Sequence, residues 1–151
     1  MNRRPQLPLE IRKQIDAAEA RAGELYREGK IKDSVNASLE SWKLIPDPIE
    51  KWDYYPQSMA VSFVDCYVML QDLENTKKWL KVTYKMYDDE ARESQYVLMM
   101  EGESLFKLGE KDQAYEVFER IFTLHGKEGF YGEQIDYLVF FQKERASRND
   151  R

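Results

Sequence analysis

Residues that could carry covalent or acid–base chemistry are scarce in this chain. His125 is its only histidine and Cys66 its only cysteine. No His–Cys or His–carboxylate set has the spacing of a metal site. Cys66 lies in the apolar run "QSMAVSFVDCYVML", where a thiol reads as a packing group, as do Met59 and Met69. There is no G-x-S-x-G elbow, no P-loop and no dinucleotide fingerprint. Carboxylates are plentiful, but pairs such as Asp88/Asp89 read as solvated turn residues. An acid–base pair needs burial to split its two pKa values, and no pair here stands in an apolar context. These residues predict no catalytic group, no metal and no cofactor, so a non-enzyme is expected. The aromatic cluster "EKWDYY" has two readings, a recognition patch or a set of anchors (Trp52, Tyr54, Tyr55) for a long linker.

The elements that must position any binding residues are helical. The chain has 151 residues, of which 42% are apolar and 34% charged. That is enough to bury one core without disulfides or metals, and one domain over 1–151 is expected. Apolar residues recur at three and four between breaks rich in Pro and Gly, with no strict alternation. The pattern predicts an all-α fold with helices near 9–28, 31–45, 57–70, 73–88, 91–108, 111–124 and 133–146. The helix at 57–70 is apolar almost all round, which predicts cover on both sides. The last helix carries Ile135, Leu138, Val139 and Phe141 on an apolar stripe, then Lys143, Arg145 and Arg148, which suit a helix C-terminus.

Six of these helices pair across the short turns "EGK", "QD" and "GE". Aligned on the turns, the first hairpin supplies Ala22, Leu25, Gly29, Ser34 and Ser41. The second supplies Val64, Tyr67, Gln71, Thr76, Leu80 and Thr83, and the third Gly102, Leu105, Gly109, Ala114 and Phe118. Small residues match small ones and bulky match bulky, because two helices joined by a tight turn need room for each other's backbone. Gly29 and Gly109 suit the left-handed conformation that ends a helix. The pattern resembles the tetratricopeptide repeat. The resemblance is strong in the third hairpin and degenerate in the second. The turns at 29, 71 and 109 lie 42 and 38 residues apart, against roughly 34 in that family. It implies a tetratricopeptide-like α-solenoid of three helical hairpins (9–46, 57–88 and 91–126) with a C-terminal capping helix at 133–146.

The family binds partners in a concave groove lined by the first helix of each hairpin. Carried over by register, the groove residues are Asp16, Glu19, Tyr26 and Arg27, then Asp65 and Met69, then Tyr96, Met99, Glu103, Phe106 and Lys107. That surface is acidic, aromatic and Met-bearing. Some tetratricopeptide domains grip a peptide's terminal carboxylate with Lys and Asn; Glu19, Gly23 and Asp65 occupy that region here, which disfavours an acidic terminus.

A narrower resemblance runs through "LIPDPIEKWDYYPQSMAV", "MLQDLENTKKWL", "EGESLFKLGEKDQAYEVFERIFTLHGKEGFYGE" and "IDYLVFFQK". It covers nearly the whole chain and is to the small tetratricopeptide-type immunity proteins of bacteria. These accompany polymorphic toxins, including Rhs-type and contact-dependent ones. It implies a cytoplasmic protein that binds the cognate toxin's C-terminal domain and blocks it. The net charge of −5 argues against a nucleic-acid or anionic-membrane partner and for a basic toxin domain. A tetratricopeptide adaptor or secretion chaperone gripping a linear segment is the alternative. The start "MNRRPQLPLEIRKQID" has no apolar core of a secretory signal, and no apolar run reaches the roughly 18 residues of a membrane span. A monomer or weak homodimer is expected.

Overall fold

The computed structural model describes residues 3–150. Among them, seven α-helices and three short 3-10 turns form, and no strand. They are α1 (Leu9–Arg27), α2 (Ile31–Trp42), α3 (Tyr55–Met69), α4 (Leu73–Met86), α5 (Gln95–Lys107), α6 (Lys111–His125) and α7 (Ile135–Asn149). The chain divides into two compact units, Met1–Glu90 and Ala91–Arg151. No helix of the described residues is long and apolar enough to cross a membrane.

The three hairpin turns are built alike. Gly29, Gln71 and Gly109 all have positive φ (79°, 57° and 83°). At each, the residue's own N–H and the next one reach back to two carbonyls of the finished helix. The pairs are Gly29 to Tyr26 and Lys30 to Leu25, Gln71 to Val68 and Asp72 to Tyr67, and Gly109 to Phe106 and Glu110 to Leu105. This is the Schellman closure. Gln71 adopts it without being glycine, which explains why the second repeat looks degenerate in sequence yet turns like the others.

In the first unit, α1 pairs with α2 and α3 with α4. Ala22, Ser34, Ser41, Val64, Thr76 and Thr83 are all buried where the helices approach. Ser34 donates its hydroxyl to the Ala22 carbonyl at 2.7 Å, so the small residue on α2 also satisfies its own polar group. Between the hairpins Trp42, Phe63 and Trp79 form an aromatic cluster, with centroids 4.3 to 6.0 Å apart. The segment before α1 is tied to the long linker. Asp53 donates its N–H to the Pro5 carbonyl, and Arg4 donates to the carbonyls of Glu50 and Met86. Trp52 donates its indole N–H to the Pro46 carbonyl at 2.8 Å. The reading of α3 as covered on both sides is corrected: Ser58, Ser62, Asp65 and Met69 form an exposed stripe along it.

In the second unit, α5 pairs with α6. A Cβ on Gly102 would stand 2.4 Å from a Phe118 ring carbon, so the bare backbone is what lets α5 and α6 close. Helix α5 starts four residues later than the periodicity predicts. Arg120 donates to the carbonyls of Arg92 and Ala91, His125 Nε2 contacts the Glu93 carbonyl at 2.7 Å, and Arg92 has φ of 58°. The positive φ of Arg92 breaks the helical path, and the α6 side chains hold the carbonyls on either side of it in that non-helical course. Helix α7 packs on α6, along only part of the stripe expected: Phe141 is buried as read. Tyr137 and Phe140 meet Phe118 and Phe106, and Phe141 meets Tyr115 and Phe122. Ile135 and Val139 face outward, about half exposed.

Candidate functional site

The first unit holds a cleft of about 290 Å³ between α1, α2 and α3. Helix α1 supplies Glu19, Gly23, Tyr26 and Arg27, helix α2 supplies Ser34 and Ser38, and α3 supplies Ser62, Asp65 and Cys66. Register explains the convergence. Glu19, Gly23 and Tyr26 recur at four and three on one face of α1, and Ser62 and Asp65 belong to the exposed stripe of α3.

Glu19 is half-buried and fixed. Ser41 donates to one carboxylate oxygen at 2.8 Å and Ser38 to the other at 3.2 Å. Two neutral hydroxyls thus hold the Glu19 carboxylate in place in the cleft, whose lining also includes the Arg27 guanidinium. Gly23 lies in the middle of α1. The atom nearest to a Cβ built there is Arg27 Nη1, at 3.4 Å, so packing does not demand glycine at this point. The rim is tied across helices. Tyr26 donates its hydroxyl to Met69 Sδ at 3.4 Å, and Tyr55 donates to Asp16 Oδ1 at 2.9 Å. Tyr55 follows a strained step. Tyr54 has φ 71° and ψ −62°, and Tyr55 N–H reaches the Asp53 carbonyl at 2.9 Å. This is a γ-turn of the rare, strained kind. It leaves Tyr54 63% exposed while aiming Tyr55 at Asp16.

Cys66 is a poor nucleophile here. Burial pushes the Cys66 thiol above its ordinary pKa, and the Asp65 charge adds to the effect, so the thiolate is disfavoured at neutral pH. Burial raises the Tyr55 hydroxyl too, reinforced by its hydrogen bond to Asp16. His125 belongs to the second unit and is spent on the Glu93 carbonyl. What the arrangement provides is two carboxylates, Glu19 and Asp65, against one cation, Arg27, beside an exposed aromatic ring and a thioether, an acidic excess that suits a basic surface.

Of the residues assigned to the groove from sequence, Glu19, Tyr26, Arg27 and Asp65 line this cleft. Asp16 and Met69 are joined to its rim through Tyr55 and Tyr26. In the second unit Tyr96 and Lys107 are exposed and Glu103 is half-buried. Two assignments are corrected. Met99 is 2% exposed and lies in the core, because α5 is covered around most of its girth there: the successive residues Val97, Leu98 and Met99 are all buried. Phe106 is taken up by Tyr137 and Phe140 of α7. Sequence reasoning missed the serines as site residues, and left Tyr55 between a recognition patch and a linker anchor. The signal was present in Ser34, Ser38 and Ser41, which fall at four and three on the face of α2 turned to α1.

No family model, curated protein or solved structure matches this chain.

Proposed function

We propose that this chain is a non-catalytic binding protein of the tetratricopeptide type, an immunity protein that captures and neutralises a basic toxin domain. The observation that carries the reading is the cleft of the first unit. There Glu19, held by two serines, stands with Asp65 beside exposed Tyr26 and Met69. The shared Schellman turns and the matched small residues support the repeat assignment. Carboxylates select a basic partner and speed its capture, while Tyr and Met supply adaptable contact area.

The test is co-expression with the toxin domain encoded beside it, scored by cell survival, together with the affinity of the purified pair. Asp16→Lys combined with Asp65→Lys should weaken binding by at least about tenfold and abolish protection. Unchanged affinity would remove the cleft from the interface. Equal affinity for a linear peptide and for the folded domain would favour an adaptor or chaperone instead.

A further inference from the structure

A second surface of the first unit has the opposite character. Between α2 and α4 lies a groove of about 420 Å³, walled by Leu39, Trp42, Trp79 and Val82 and rimmed by Lys43 and Lys78. We propose that this groove docks an acidic amphipathic helix of a protein partner. The inference does not rest on the immunity reading, because the groove shares no residue with the cleft.

Three observations point to that occupant. The first is shape. Asn36 and Leu39 follow helical spacing along α2, continued by Lys43 at its C-cap, and Lys78, Val82 and Lys85 follow it along α4. Two such ridges enclose the kind of furrow that accepts the apolar ridge of a third helix. The second is an unfilled anchor position. Trp42 is only half-buried, although its ring meets Trp79 edge-on at 5.1 Å. A partly exposed tryptophan at the wall of a furrow is where a partner's large apolar side chain gains most on desolvation.

The third is charge. In a chain of net charge −5, α4 displays Lys77, Lys78, Lys81 and Lys85, all exposed. None of the four makes an ion pair among the described residues. Glu40, on the groove's edge, is already engaged by Lys43 at 3.0 Å. Carboxylates at every third or fourth position of a docked helix would meet this row, and a basic helix would be repelled by it. A lipid surface fits less well. Trp79 is 4% exposed at the groove floor, within reach of an inserted side chain but not of a flat bilayer.

The experiment is a selection of short helix-favouring peptides from a random displayed library on the intact chain. It is counter-selected on the Leu39→Arg/Val82→Arg variant, and winners are measured by fluorescence anisotropy. Winners should be net acidic, with large apolar residues every three or four positions. Lys78→Glu/Lys85→Glu, two exposed positions that leave the fold intact by circular dichroism, should weaken them at least about tenfold. Asp65→Lys, in the cleft, should leave their affinity unchanged. Neutral or basic winners, winners indifferent to the lysine reversals, or no winners at all would overturn the proposal. So would binding of phosphatidylglycerol vesicles that the Leu39→Arg/Val82→Arg change does not affect.

Discussion

Two helical glycines with opposite surroundings show how much a single residue's context decides. Gly102 faces the buried Phe118 ring, and a Cβ would stand 2.4 Å from it. That ring is packed against Phe130, Tyr137 and Phe140, so Gly102→Ala should cost about 1–3 kcal/mol through overpacking, read as a lowered urea midpoint. Gly23 faces the open cleft, where the added methyl meets only Arg27 at ordinary contact distance. Gly23→Ala should therefore stabilise α1 by about 0.5–1 kcal/mol from helix propensity alone. A rise in Tm for the second variant and a fall for the first is the expected pair of results, and equal signs would refute the packing account. Asp72 supplies a pH test. Its carboxylate accepts from the side chain and the backbone N–H of Asn75 at 2.8 and 3.0 Å, and these bonds hold its pKa below the ordinary value. A depressed folded pKa means the stabilisation is complete above the unfolded pKa and disappears as pH falls through the folded one. Asp72→Ala should thus cost about 0.5–2 kcal/mol at neutral pH, and the gap from the parent should close in acid.

At the scale of elements, the hairpins were legible because their determinants are local. Turn residues and small side chains at fixed offsets state where two helices end and touch, and Ala22, Thr76, Gly102 and Ala114 are buried as the alignment expects. What stayed illegible depends on contacts distant in sequence. The late start of α5 comes from Arg120, nearly thirty residues downstream, and no periodicity in 91–94 reports it. The face of α7 was misread in part, for the same reason. Of the expected stripe of Ile135, Leu138, Val139 and Phe141, Phe141 is buried while Ile135 and Val139 face outward; Tyr137 and Phe140 complete the packing face, drawn by the rings of Phe106 and Phe118. In the site, charged groups were legible from register, whereas the serine clamp on Glu19 needed the pairing of α1 with α2. The α7 packing can be checked directly. Phe141 is fully buried between Tyr115 and Phe122, so Phe141→Ala should cost about 3–5 kcal/mol. Val139→Ala, on the outward face, should cost far less. Reversed costs would mean that the Ile135 and Val139 side of α7, not the aromatic side, is the packing face.

For the whole molecule, the relevant quantity is how charge is distributed rather than its sum. A net charge of −5 describes a chain whose first unit carries carboxylates around one cleft and, along α4, a row of exposed lysines that make no ion pair among the described residues. Such a surface discriminates by orientation, since a basic partner is drawn to one face and turned away from the other. Salt screens this steering over a Debye length of about 10 Å at 0.1 M, while apolar contacts made after docking are barely affected. The association rate with a basic partner should therefore fall steeply between low and physiological ionic strength, with the dissociation rate nearly constant. Asp16→Lys with Asp65→Lys should flatten that slope, and Lys78→Glu with Lys85→Glu should steepen it or leave it alone. Stopped-flow measurements across a salt series read both slopes. An association rate insensitive to salt in the parent chain would mean that the cleft's carboxylates do not guide the encounter.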